Sequence, residues 1–172
     1  MSYFKYVPLH NKVDLQHSLF EILQVHMLIF SNTCQYAIKS CIILALEQKK
    51  TGIIEISEKI GTPTAFTSKI LQQLTKHKLI SSGKGRGGGF YLNEDQYEKL
   101  TIKDIYEHFV GDEVLNKCLL GLKTCDADNP CPVHHIAREI KDKMVVMLAY
   151  KIKALKVIGN LFIKTFYLLL HC

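Results

Sequence analysis

The side chains with the clearest chemistry in this sequence are Cys118, Cys125, Cys131 and His134, which follow the spacing C-x6-C-x5-C-x2-H. Three thiolates and one imidazole make a complete set of four ligands for zinc or for an iron–sulfur cluster. The alternative is three unliganded thiols in a polar loop. Cysteines that serve only in packing lie among apolar neighbours, and Cys125 and Cys131 do not. The spacing therefore predicts a metal or cluster site.

The residues around these ligands predict a loop that leads into a helix. Turn-forming residues are found at Gly121 and in the segment 126–130, and Pro132 suits the first turn of a helix that contains His134. That helix carries an apolar stripe at helical spacing, formed by Ile136, Ile140, Met144 and Met147. An apolar stripe on a late helix is more often a seam with a partner than a cofactor site.

Composition limits the class of protein. The 172 residues, 48% of them hydrophobic, suffice for one domain with its own core, or for one domain with an extension. The sequence has no signal-peptide pattern, and its clustered cysteines do not resemble a secreted disulfide framework, so we expect a cytoplasmic protein. The apolar stretch near the end is broken by lysines and falls short of the roughly 20 residues that a spanning helix needs, so we expect no membrane partner.

Charge and missing motifs favour a binding protein over an enzyme. The sequence has no C-x-x-C, no G-x-x-x-x-G-K-S/T phosphate loop and no acid–base pair that can be placed in a site. The net charge of +6 is unevenly distributed, since six basic residues and no acidic one lie from Lys59 to Arg86. A local excess of this kind suits a polyanion such as DNA.

A helix-turn-helix followed by a hairpin is predicted in the same region. A short helix from Ile53 is stopped by Gly61, and a second helix, capped by Thr62, runs to about His77. Apolar residues line one face of the second helix and leave polar side chains for the major groove of DNA, namely Thr64, Ser68, Lys69 and Gln72. Strands at 79–82 and 90–92 flank a glycine-rich wing, where Lys84 and Arg86 would contact phosphates or a narrow minor groove.

The remaining elements complete a mainly α fold, a winged helix-turn-helix domain with a small β-hairpin wing and a long C-terminal dimerisation helix. Ser31 or Asn32 can cap a first helix, in which Cys34 and Cys41 share the core face as packing residues, and Thr101 can cap a later one. We divide the chain into an N-terminal extension (1–26), a DNA-binding domain (27–100), a linker helix with the cysteine loop (101–134), and a dimerisation helix with an apolar tail (135–172).

These motifs together resemble a known family. From Met27 to about Met147 the sequence is similar to the Rrf-two-type winged-helix transcription regulators, the group that contains the iron–sulfur cluster assembly regulator and the nitric-oxide-sensing repressor. The matching segments are Tyr36-Ala37-Ile38-Lys39, Ile56-Ser57 to Ile60, Lys69-Ile70-Leu71-Gln72-Gln73-Leu74, Leu79-Ile80-Ser81-Ser82, Gly87-Gly88-Gly89-Phe90-Tyr91-Leu92, Thr101-Ile102-Lys103-Asp104-Ile105 and the three-cysteine loop.

The resemblance implies a homodimer that binds a partly palindromic operator in double-stranded DNA, with the late helix as the dimer seam. It also implies an iron–sulfur cluster, with [2Fe–2S] favoured over [4Fe–4S], that reports redox, iron or nitric oxide status. The cysteines of the loop would be ligands, and His134 occupies the position of the fourth ligand, with His135 adjacent. The residues alone leave a structural zinc site open as the alternative, because three cysteines and a histidine also make a closed zinc site.

Overall fold

The computed structural model describes residues 30–111, 113–122 and 125–155. The predicted extension over 1–26 and the tail from residue 156 lie outside the described residues. The described chain is mainly helical with one two-stranded antiparallel sheet, which confirms the predicted mainly α fold with a small β-hairpin. The role of the late helix in dimerisation stays a prediction. Its elements are α1 (Asn32–Glu47), α2 (Ile53–Ile60), α3 (Thr64–Lys76), β1 (Ser81–Gly83), β2 (Gly89–Tyr91), α4 (Glu94–Lys99), α5 (Ile102–Phe109), α6 (Glu113–Asn116), α7 (His134–Leu148) and a final 3-10 helix (Ile152–Leu155).

Helix α1 lies at the centre of the core and packs against α2, α3, α5 and the final 3-10 helix. It begins where the Ser31 side chain accepts a hydrogen bond of 3.2 Å from the backbone N–H of Cys34, as the sequence predicts. Cys34 and Cys41 are fully buried in the core, which confirms them as packing residues. Small buried residues along α1 allow the neighbouring helices to approach it closely.

The turn between α2 and α3 differs from the prediction by one cap. Gly61 ends α2 in the left-handed region, with φ of 68°, as expected. However, α3 begins at Thr64 after Pro63, and the Thr62 hydroxyl lies 2.7 Å from the Thr67 hydroxyl instead of capping the helix. The prediction of Thr62 as the cap is wrong, because its hydroxyl is hydrogen-bonded to the hydroxyl of Thr67, a residue inside α3.

The wing also pairs with a residue outside its two strands, Thr51, which the sequence analysis did not predict. Strands β1 and β2 pair with Ser82 opposite Phe90. Thr51 exchanges two backbone hydrogen bonds of 2.9 Å with Phe90 from the other side. A side chain at Gly89 would place its Cβ 2.7 Å from the Thr51 carbonyl oxygen, so only glycine fits at this close approach.

Helix α4 is missing from the sequence prediction. Asn93 and Gln96 form a reciprocal capping box at its start, with Asn93 accepting from the Gln96 N–H at 2.8 Å. The Gln96 side chain also donates to the Lys78 carbonyl at 2.8 Å and accepts from the Ser81 hydroxyl at 3.0 Å. This short helix therefore fixes the connection from α3 into the wing.

The end of α7 packs on the core of its own chain. The helix ends at Leu148, and the chain then runs beside the start of α5, where Ile152 donates its N–H to Leu100 at 2.8 Å. Leu148 and Ile152 are each 1% exposed in the core of the same chain, and Met147 packs against that core. Met147, Leu148 and Ile152 therefore make their packing contacts within their own chain. None of the helices in the described ranges is long and apolar enough to span a membrane.

Replacing Gly89 with alanine tests the junction between the wing and Thr51. We expect a loss of about 1–3 kcal/mol in the free energy of unfolding, because the new methyl group meets backbone atoms that cannot rotate away. Urea unfolding followed by circular dichroism measures this loss. Gly52→Ala is the control, since a Cβ at Gly52 meets nothing within 4 Å. Equal stability of the two variants would contradict the close approach at Gly89.

Candidate functional site

The outer face of α3 carries the residues predicted to read DNA. Thr64, Lys69 and Gln72 are exposed and Ser68 is half-buried, while the opposite face of the helix is buried in the core. The Gln72 amide donates a hydrogen bond of 3.2 Å to the Ser68 hydroxyl, so these two side chains lie along one row. The helix therefore presents a polar surface that a major groove could accept.

The wing extends this surface. Lys84 and Arg86 are exposed at its tip, where the backbone turns through Gly85 and Gly87 at φ of 88° and 78°. A groove of about 360 Å³ separates α3 from the wing and is lined by Gln72, Thr75, Lys76, Ser82 and Phe90. Lys76 was not among the predicted DNA contacts, although its position four residues after Gln72 on the same helix face could have indicated it.

The basic surface is smaller than the sequence predicts. Lys59 forms ion pairs with Glu47 and Glu55, and its hydrogen bond is the largest influence holding the pKa of Glu47 below its usual range. That lysine belongs to the junction of α1 and α2. The other five basic residues of the stretch from Lys59 to Arg86 take part in no ion pair within the described ranges, namely Lys69, Lys76, Lys78, Lys84 and Arg86. All five lie on α3, just after it or on the wing.

The four predicted ligands meet as two pairs. The sulfur of Cys118 lies 3.8 Å from that of Cys131, and the sulfur of Cys125 lies 3.6 Å from Nδ1 of His134. Cys118 and His134 are buried, Cys131 is half-buried and Cys125 is exposed. His135 is exposed, with its ring centre 5.7 Å from that of His134. The loop therefore brings the four side chains together as two separate pairs.

These two distances match the edges of a metal tetrahedron. Metal–sulfur bonds of about 2.3 Å at tetrahedral angles separate two sulfurs by about 3.8 Å, and a sulfur from an imidazole nitrogen by about 3.5 Å. Each pair is therefore spaced to hold one metal ion. In the described ranges no three cysteine, histidine or acidic side chains converge on a single metal position. The four side chains therefore do not surround one common position in the described ranges.

Backbone hydrogen bonds favour the thiolate form of one loop cysteine, Cys118. The N–H groups of Leu122 and Leu120 are the largest influences that hold the pKa of Cys118 below its ordinary value. Burial has the opposite effect in the core, where it raises the pKa of Cys34 to about 12. The loop cysteine is thus suited to metal binding as a thiolate, whereas the core cysteine is held as a neutral thiol.

Local turns fix the loop itself. The Asp126 carboxylate accepts the N–H of Asp128 at 2.9 Å and the side-chain amide of Asn129 at 3.3 Å. The Asp128 N–H is the largest influence that lowers the pKa of Asp126. The Cys131 carbonyl accepts the N–H of His134 at 2.9 Å, which joins the third cysteine to the first turn of α7. The turn residues noted in the sequence therefore form the turns predicted for them.

Comparison with known proteins places this architecture in a family. A family model for Rrf2, described as an iron-dependent transcriptional regulator, matches residues 30–155. The chain belongs to the Rrf2 family. It is therefore a transcriptional regulator with a DNA-binding winged helix.

Individual relatives of this Rrf2 protein agree with the assignment. An HTH-type transcriptional regulator of Aquifex aeolicus is 37% identical over 120 residues, which cover 68% of this chain and 83% of the relative. The regulator IscR of Photorhabdus laumondii is 26% identical over 117 residues, covering 67% and 70% of the two chains.

Solved structures show the same fold. CymR, the global cysteine regulator of B. subtilis, superposes with a TM-score of 0.62 at 19% identity and covers 74% of this chain and 95% of its own. IscR of T. potens gives a TM-score of 0.54 at 16% identity, covering 76% and 86%. At these identities the similarity concerns the fold alone.

Proposed function

We propose that this Rrf2 regulator binds a [2Fe–2S] cluster through Cys118, Cys125, Cys131 and His134 and adjusts its operator binding to redox, iron or nitric oxide status. The observation that carries the proposal is the arrangement of the four ligands as two pairs. Each iron of a [2Fe–2S] cluster takes two protein ligands in addition to the bridging sulfides. The description of the family as iron-dependent supports the same metal.

The pairs assign the ligands to the two irons. Cys118 and Cys131 would hold one iron, and Cys125 and His134 the other. When bound, the cluster supplies a one-electron redox change and a reaction centre for oxidants or nitric oxide. The chain supplies the N–H groups around Cys118 and leaves Cys125 exposed, so small reactants in solvent reach one edge of the site. A structural zinc ion remains the second candidate, because the ligand types suit it equally.

A homodimer would place two recognition helices on two half-sites of an operator. Ile136 and Ile140 support this assembly, because they are 65% and 47% exposed on the same face of α7. Met144 is half-buried, and Met147 packs on the core of its own chain, so we place the centre of the dimer interface at Ile136 and Ile140.

We also propose that the protein is cytoplasmic and is not an enzyme, in line with its regulator relatives.

Helix α7 supports a route from the ligand loop to the DNA-binding domain. Its first residue is His134, and the chain after its last turn pairs with the start of α5, where Ile102 donates its N–H to Tyr150 at 3.0 Å. Loss or oxidation of the cluster would change the loop and shift α7 relative to the winged domain. Because half-sites lie about one helical turn of DNA apart, a small rotation of the two recognition helices is enough to weaken operator binding.

Anaerobic visible spectroscopy with iron and sulfide counts tests the cluster. We expect a coloured protein with about two irons and two sulfides per chain. Changing Cys118, Cys125 or Cys131 to alanine should abolish the colour, whereas His134→Ala should leave a labile or shifted cluster, since a neutral imidazole exchanges more readily than a thiolate. Cys41→Ser is the control, because Cys41 is buried in the core. A colourless protein that binds one zinc would establish the second candidate instead.

Replacing Lys84 and Arg86 with alanine tests the wing. We expect weaker binding to operator DNA and a salt dependence shallower by about two units of slope, because two phosphate neutralisations are lost. Fluorescence anisotropy across a range of salt concentrations measures both effects. Lys103→Ala is the control, since Lys103 lies on α5 and pairs with Glu107. Unchanged affinity and slope in the double variant would refute the wing as a DNA contact.

Sedimentation equilibrium at micromolar concentration tests the dimer. We expect wild type to be dimeric and Ile140→Asp to be largely monomeric, because a carboxylate would have to be desolvated in the seam. Val145→Asp is the matched control, since Val145 is 52% exposed but five residues further along α7, on a different face. A monomeric wild type, or equal dissociation of both variants, would rule out this seam.

A further inference from the structure

Lys141 joins α7 to the start of the cysteine loop. It lies seven residues after His134, and therefore two turns along the same face of the helix. Its ammonium donates a hydrogen bond to the backbone carbonyl of Lys117, across 24 residues of sequence, and the next residue is Cys118. The side chain is half-buried between the helix and the loop. Nothing in the ligand spacing points to this lysine.

The ammonium of Lys141 places a positive charge at the backbone of the residue that precedes Cys118. The acidic residues next to Lys141 on α7 are Glu139 and Asp142, and Glu139 pairs with Lys143 at 2.8 Å. No ion pair in the described ranges joins Lys141 to an acidic side chain.

We infer that Lys141 is a positioning residue of the proposed cluster site, which anchors the loop at Cys118 and favours the reduced form of the bound cluster. The inference rests on the proposed function. Reduction adds one electron, supplied in vitro by dithionite, and breaks no bond. A positive charge beside the ligand thiolates stabilises the added negative charge, and a donor outside the ligand set holds the loop in place.

Redox titration of the purified full-length protein under anaerobic conditions tests this role. In Lys141→Gln we expect the equilibrium constant for reduction to fall about tenfold, a decrease of about 59 mV in midpoint potential for one electron. Lys141→Arg keeps the charge and should stay close to wild type. Lys143→Gln is the matched control on the same helix, because Lys143 is exposed and faces Glu139, and its potential should not change.

The rate of iron release to EDTA, monitored as the loss of visible absorbance, gives a second test of the anchoring role of Lys141. We expect Lys141→Gln to lose iron several-fold faster than Lys141→Arg and Lys143→Gln. If Lys141→Gln assembles no cluster at all while the other two variants do, the anchoring role is supported. A coloured wild type whose potential and iron release match those of Lys141→Gln overturns this inference alone. A wild type without a cluster overturns the proposed function and this inference with it.

Discussion

The burial of α1 among its neighbours is the constraint on which the rest of the structure depends. Its inner face combines large side chains such as Leu44 with small ones such as Ala37 and Ala45, all of them buried. Each large apolar side chain buried in this way contributes about 1.5–3 kcal/mol. The packing of α3 against α1 directs the polar face of α3 outward, and Thr51, in the connection after α1, holds the wing beside it. The positions of the polar face of α3 and of the wing are thus a consequence of the core.

The cysteine loop depends on different forces. It has little apolar burial of its own, and Leu119, Leu120 and Leu122 are between 54% and 66% exposed. Hydrogen bonds of the backbone and of Asp126 shape it, and Lys141 ties it to α7. Such bonds contribute only about 1 kcal/mol each, so metal ligation would supply much of the energy that orders this segment.

Helix α7 connects these two regions because its two ends are held by different partners. Its first turn includes His134 and lies in the ligand loop, whereas Leu148 at its last turn is buried in the core. The backbone pairing of 150–152 with 100–102 fixes the far end. Helix α7 therefore links the cysteine loop to the backbone pairing beside the start of α5.

Local chemistry in the sequence was sufficient to locate the helices capped by Ser31 and Thr101, the polar outer face of α3, the glycine-rich wing and the loop that carries the four candidate ligands. These features depend on periodicity, caps and residue types within a few neighbours, which a sequence displays directly. Tertiary structure decided what depends on contacts between distant residues. Thr51 pairs with the wing, and Lys59 forms an ion pair with Glu47 instead of joining the basic surface. Met147 packs on the core of its own chain. Tertiary structure also sorted the ligands into two pairs and brought Lys141 to the loop, because these positions are set by how α7 packs and not by spacing along the chain.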